Sequence, residues 1–198
     1  MRRVIFETSI SMDGFIEGPE GELDWMVPSD EDEPEEETGS LFAVFDTIFF
    51  GRKTYETIAQ VSQHGMSSDN EKEFFYLMHG MRKYVFSRSV RHVQGNAMVI
   101  SGNIEEEVLR IRGEEGKDIW FRGGANLLQS FMALDLVDEY VLSVHPVLLN
   151  SGKPLFSGNN RPTSLTLVKK QKLKSGVVLL RYKPESRLNV KTYEGRSL

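Results

Sequence analysis

Short apolar runs in this chain repeatedly break into a glycine or serine turn, with a helical pattern starting just beyond. Thr47-Ile48-Phe49-Phe50 enters Gly51-Arg52-Lys53-Thr54, after which Tyr55 to Val61 reads as a helix. Asp118-Ile119-Trp120-Phe121 enters Gly123-Gly124, and Leu127, Leu128, Phe131 and Met132 then recur at helical spacing. Further strands are predicted at Val4 to Ile10, Lys83 to Ser87 and Ala97 to Ser101, with Asp13-Gly14 closing the first as a turn. Asn103 stands three residues before Glu106 and predicts a capped helix carrying Val108, Leu109 and Ile111. Ser40 predicts a cap for a short helix over Leu41, Phe42, Val44 and Phe45, and Phe74, Phe75, Leu77 and Met78 predict another. Strands alternating with helices favour a mostly parallel sheet covered on both faces. The final third lacks helical periodicity. It predicts a strand over Tyr140 to Leu149 and a hairpin of Ser164 to Val168 with Val177 to Tyr182, turning at Ser175-Gly176. The expectation is one α/β domain over residues 1–183, its sheet flanked by helices and edged by a C-terminal antiparallel hairpin, with 184–198 as an exposed tail.

Composition narrows the chemistry. With no cysteine in 198 residues, disulfides, thiolate metal sites and cysteine nucleophiles are excluded. His64, His79, His92 and His145 are scattered, so no metal site is expected. No apolar run approaches the roughly 18 residues of a membrane span, and Glu7 interrupts the only signal-like start, which predicts a soluble cytoplasmic protein. The net charge of −5 hides an asymmetry: 14 Lys/Arg face 27 Asp/Glu through Asn160, and 10 face 2 beyond it. Asp30 to Glu37 is acidic throughout except for Pro34 and reads as a solvated loop, while the basic end is interrupted by Leu167, Val168 and the Val177 to Leu180 run. The balance is unfavourable for a nucleic-acid partner.

Three strand ends carry chemistry suited to anions. Gly51-Arg52-Lys53-Thr54 sets two cations and a hydroxyl at a helix start, where free N–H groups favour negative charge; the plain alternative is a glycine turn with solvated cations. Gly123-Gly124 removes two side chains where a strand meets a helix, which permits close approach of a pyrophosphate or simply makes a tight turn. Ser87-Arg88-Ser89 places hydroxyl, cation and hydroxyl at a strand end, suited to a phosphate monoester or to ordinary solvent exposure. A ligand with separated pyrophosphate and monophosphate groups, such as NADPH, satisfies all three. Neither a G-x-G-x-x-G fingerprint nor a P-loop occurs, and there is no G-x-S-x-G or H-E-x-x-H motif.

These residues carry a resemblance. Ser9-Ile10-Ser11-Met12-Asp13-Gly14-Phe15-Ile16, Phe50 to Glu56, Val85-Phe86-Ser87-Arg88, Phe121 to Leu127 and Pro146 to Phe156 stand in the order found in the dihydrofolate reductase-like superfamily. The chain resembles its bacterial branch, shared with the reductase domain of riboflavin biosynthesis, from about Arg3 to Lys183. The resemblance implies an NADPH-dependent oxidoreductase of that single-domain fold, acting on a pterin- or pyrimidine-like small molecule as a homodimer. It implies that Gly51, Arg52, Lys53 and Thr54 contact the cofactor phosphates, and that Ser87 and Arg88 hold the adenosine phosphate. Gly123, Gly124, Ala125 and Asn126 would face the pyrophosphate, and Ser9 and Ile16 the nicotinamide. Trp25-Met26-Val27-Pro28-Ser29-Asp30 parallels a stretch whose acid holds the substrate ring and assists protonation, making Asp30 the candidate proton donor beside Trp25. Asp24 is its rival, and Asp13 reads as a turn former. Two alternatives stand beside this reading: reduction of the sugar of a ribosylamino-pyrimidine phosphate, and a non-catalytic NADPH-binding protein.

Overall fold

The structure is a computed structural model that describes residues 1–27, 43–63, 72, 75–76, 78–158 and 162–185. Ten strands and three long helices organise these residues: β1 (Val4–Ser11), β2 (Phe15–Glu17), β3 (Phe45–Gly51), α1 (Arg52–Gln63), β4 (Arg82–Phe86), β5 (Ala97–Ile100), α2 (Ile104–Gly113), β6 (Asp118–Arg122), α3 (Ala125–Ala133), β7 (Glu139–His145), β8 (Lys153–Pro154), β9 (Leu165–Lys172) and β10 (Val178–Pro184). Eight form one sheet in the order β5-β4-β3-β6-β1-β7-β10-β9, and β2 pairs with β8 in a small second sheet. From β5 to β7 every pairing is parallel, while β10 runs antiparallel to both β7 and β9. The α/β architecture with its C-terminal antiparallel hairpin is the one the sequence predicts.

The apolar runs form strands because both sheet faces are covered. On one face Val4, Phe6, Phe49 and Phe121 share a buried cluster with Val108 and Ile111 of α2 and with Leu128 and Phe131 of α3. Phe121 stacks on Phe131 with ring centroids 4.3 Å apart. On the other face Ile5, Ile48, Phe50, Val85 and Trp120 pack with Tyr55 of α1 and with Met78. Parallel strands all point their carboxyl ends the same way, so the loops after β1, β3, β4, β6 and β7 emerge along one edge. That edge is where ligands bind in open α/β sheets.

Three expected boundaries shift. The helix after β3 starts at Arg52 rather than Tyr55, because Gly51 lets the chain pass from strand to helix within one residue. The strand expected over Tyr140 to Leu149 stops at His145, since Pro146 has no N–H to donate to the ladder. β10 reaches Pro184, the first residue of the expected tail. The Asn103 cap is present, accepting from the N–H groups of Glu105 and Glu106. The acidic loop 30–37, the start of the helix expected after Ser40, Phe74, Leu77 and the tail beyond Glu185 lie outside the described residues.

Candidate active site

Three of the predicted junctions meet because β4, β3 and β6 are neighbours in the sheet. Gly51 pairs with Phe86, so Ser87 and Arg88 leave the sheet beside Gly51 and Arg52. Phe50 pairs with Arg122, so Gly123 and Gly124 emerge on the other side. A Cβ on Gly51 would lie 3.7 Å from the backbone nitrogen of Gly124, which sets the starts of α1 and α3 against each other. Gly123 is fixed by packing, because a Cβ there would meet the Phe121 ring at 2.4 Å.

The two converging helix starts lack their own compensation. Gly124 caps α3 without any side-chain bond, and neither α1 nor α3 has an acidic residue in its first turn. At the start of α2, which follows the carboxyl end of the outermost strand β5, Asn103 accepts two N–H groups and Glu105, Glu106 and Glu107 fill the first turn. Free N–H groups and positive helix ends are thus left at the central β3 and β6 ends, and are self-satisfied beyond the outermost strand β5. Lys153, from β8, brings its Nζ to 3.8 Å from the position a Gly124 Cβ would take. It also faces Glu17 across the small sheet at 3.4 Å. Arg52 is tied to Glu56 one turn on, at 2.8 Å. Ser87 Oγ accepts from the N–H groups of Ser89 and Val90, and Arg88 stands exposed beside it. Two side-chain-free glycines, two open helix starts and the cations Arg52, Lys53, Arg88 and Lys153 fit a dinucleotide carrying a pyrophosphate and an added phosphate.

Asp13 positions the Lys153 arm. It accepts from Ser11 Oγ at 2.6 Å and from the N–H groups of Leu149 and Asn150 at 3.2 and 2.7 Å. The Ser11 hydroxyl first, and then these two N–H groups, hold its carboxyl below the ordinary range. The loop after β1 is thereby fastened to the loop after β7, with Asn150 in the left-handed region at φ 61° and Leu155 N–H bonded to Gly14 O at 2.9 Å. Lys153 carries no obvious signal of its own. Its position comes from this clamp.

Trp25 faces a histidine that its sequence context does not single out. His145 is buried at the end of β7, its ring 5.5 Å from that of Trp25 and edge-on to it. Its Nδ1 accepts the N–H of Val27 at 3.0 Å, which assigns the ring proton to Nε2. The Trp25 indole donates to Glu22 O at 3.2 Å. Asp24 is exposed, and Asp30, three residues past Val27, lies outside the described residues. Ser9 sits on β1 on the face shared with His145, whereas Ile16 is buried in the cluster beneath α3.

Burial pushes the His145 imidazole below its ordinary value. The folded protein then resists a proton that the unfolded chain accepts, so stability falls as pH drops below about 6.5. Asn at this position offers an amide oxygen in place of Nδ1 and does not titrate. Melting curves from neutral to mildly acidic pH should show a smaller acid loss for His145→Asn than for wild type; equal losses would separate His145 from the acid response.

Comparisons with known proteins identify the fold and family. YyaP of Bacillus subtilis (strain 168) is 40% identical over 181 residues, covering 91% of this chain and 94% of that protein. A Shewanella sp. PV-4 structure named for riboflavin biosynthesis superposes with a TM-score of 0.75 at 22% identity, covering 93% of this chain and 99% of its own. A Thermotoga maritima deaminase and 5-amino-6-(5-phosphoribosylamino)uracil reductase superposes at 0.64 with 14% identity, covering 93% of this chain and 57% of its own. These neighbours carry the dihydrofolate reductase-like fold. Residues 2–179 match the RibD C-terminal domain, and the chain belongs to that family.

Proposed function

We propose that this protein is an NADPH-dependent reductase of a pterin- or pyrimidine-like small molecule. The observation that carries the reading is the meeting of two uncompensated helix starts at Gly51 and Gly124, with Lys153 above them. Family membership supports an oxidoreductase. NADPH, when bound, supplies the hydride. The chain's own residues bind and orient. Gly51 to Thr54, Gly123 to Asn126 and Lys153 hold the pyrophosphate, and Ser87 and Arg88 hold the added phosphate. Ser9 and Ile16 border the nicotinamide end, and the His145 bond to Val27 fixes the segment carrying Trp25. Asp30 donates the proton, with Asp24, exposed before Trp25, as its rival. Exposed Leu165, Leu167 and Val168 on edge strand β9 support a homodimer, which sedimentation reads directly. We place the protein in the cytoplasm; among the described residues no helix is long and apolar enough to cross a membrane.

Fluorescence titration of NADPH and NADH tests the cofactor. Wild type should prefer NADPH, and Arg88→Ala should lose about 1–3 kcal/mol of NADPH affinity with little change for NADH. Equal affinities in wild type would remove the assignment of Arg88 to the added phosphate. The acid is tested by turnover with pterin and pyrimidine substrates. Asp30→Asn should bind NADPH normally and turn over at least about tenfold more slowly, with Asp24→Asn near wild type. Tight NADPH binding without turnover of any such substrate would favour a non-catalytic binding protein.

A further inference from the structure

The sheet face beneath α1 is apolar, but it turns polar toward the carboxyl ends of β1, β6 and β7. Glu7, Ser9 and Ser11 pair with Val141, Ser143 and His145, so these side chains share that face. Ile5 pairs with Trp120 across β1 and β6, and Arg122, two residues on, therefore stands beside Glu7 on the same face. Glu7 Oε2 accepts the Trp120 indole N–H, and the Arg122 guanidinium lies over the indole ring, 5.0 Å from its centroid. Glu7 Oε1 and Arg122 Nη1 are 3.8 Å apart, too far for a hydrogen bond. The two side chains are only 19% and 27% exposed. Neither Oε1 nor the guanidinium has a hydrogen bond among the described residues.

Glu7 and Arg122 form only this loose ion pair, which leaves an acceptor oxygen next to a set of donors. Neither Glu7 Oε1 nor the Arg122 guanidinium is among the sealed, unsatisfied groups of the described residues, so both remain within reach of a ligand that completes their bonding. The complementary edge is a lactam, a ring N–H beside a ring carbonyl. We infer that Glu7 and Arg122 read the lactam edge of a flat nitrogen heterocycle, Glu7 accepting the ring N–H and Arg122 donating to the carbonyl. The inference rests on the reductase reading and deepens it, because it names which part of the substrate the sheet face recognises. A bound phosphate is the competing occupant of Arg122, and the adjacent Glu7 carboxylate disfavours it. Ser9, assigned to the nicotinamide side, is the next residue along β1 on that face, so the ring held by Glu7 would lie beside the cofactor's reacting end.

Calorimetry on the full chain in the presence of NADPH tests this with diaminouracil and its ring N,N′-dimethyl analogue, which has lost both ring N–H groups. Wild type should bind diaminouracil at least about tenfold more tightly than the dimethyl compound, as a site built around a hydrogen bond rejects an analogue lacking it. Glu7→Ala and Arg122→Ala should each abolish that preference while NADPH affinity stays unchanged. Glu7→Gln keeps an acceptor for the Trp120 N–H, secures folding if the alanine variant melts early, and should show an intermediate preference. No preference in wild type, or an undiminished one in both Glu7 variants, overturns the inference. Inorganic phosphate binding that requires Arg122 and tightens in Glu7→Ala also overturns it, in favour of an anion subsite. Absent NADPH binding in wild type would sink the reductase reading instead, which keeps the two failures distinct.

Discussion

Gly124→Val is expected to fold and yet to lose NADPH affinity by at least about a hundredfold, roughly 2.7 kcal/mol. The backbone at Gly124 has φ −76° and ψ 175°, which a β-branched residue adopts without strain. Among the described residues, the only neighbour a new Cβ would meet is Lys153 Nζ, the far end of a flexible side chain at 3.8 Å. At the Cβ, the described residues therefore offer no packing resistance to the substitution. Its two methyl groups would, however, occupy the space between Lys153 and the start of α3, where an anion must come within hydrogen-bonding distance of the backbone N–H groups. Gly123→Ala makes the opposite case. Its Cβ would drive into the Phe121 ring at 2.4 Å, so stability should fall before binding can be asked about. Thermal melts and NADPH titrations on the two variants separate the roles of adjacent glycines. Normal NADPH binding by folded Gly124→Val would reduce the pair to a structural turn.

The difference between these neighbours marks where sequence reading reaches its limit. The runs Val4 to Phe6, Ile48 to Phe50 and Ile119 to Phe121 are legible because a strand buried on both faces has no room for alternation. The junctions that follow them are legible because glycine and cations at a helix start are chemically unusual. Their adjacency is not, since only the strand order β4-β3-β6 brings Arg88, Gly51 and Gly124 together. The β2 and β8 strands are too short for any periodicity. They pair because Asp13 fastens one loop to the other and because Gly152, at φ 135°, lets the chain pass against Glu17, where a Cβ would meet the carbonyl oxygen at 2.2 Å. Lys153 reaches the site through that pairing. His145 and Val27 are 118 residues apart, and Glu7 and Trp120 are 113 apart, so no local pattern announces either contact. Alternation along β1 does place Glu7, Ser9 and Ser11 on one face, and that pattern, read with Arg122, was the available pointer to a polar strip.

Glu139→Leu is expected to destabilise the protein by about 3 kcal/mol, a fall of roughly 6–12 °C in Tm, without changing NADPH affinity in the folded protein. Glu139 begins β7 with its side chain 1% exposed and is paired with Arg181 of β10 and, at 3.4 Å, with Arg3 just before β1. It joins the parallel part of the sheet to the antiparallel hairpin. Removing the carboxylate leaves two guanidinium groups facing each other, and burial together with the Arg3 charge already lowers the Arg181 pKa. The loss stays at the lower end of the range for broken buried pairs, because Arg181 and Arg3 are 31% and 44% exposed and can rehydrate. Arg181→Met combined with Glu139→Leu should recover part of the deficit, since a charge without its partner is the costly species. Position explains the silence of the cofactor site. Glu139 pairs with Ile5 near the amino ends of the strands, while Gly51, Gly124 and Lys153 gather beyond the carboxyl ends. A matching drop in NADPH affinity in the folded variant would show that the hairpin and the cofactor edge are coupled through β1 and β7, and would join the scaffold to the site.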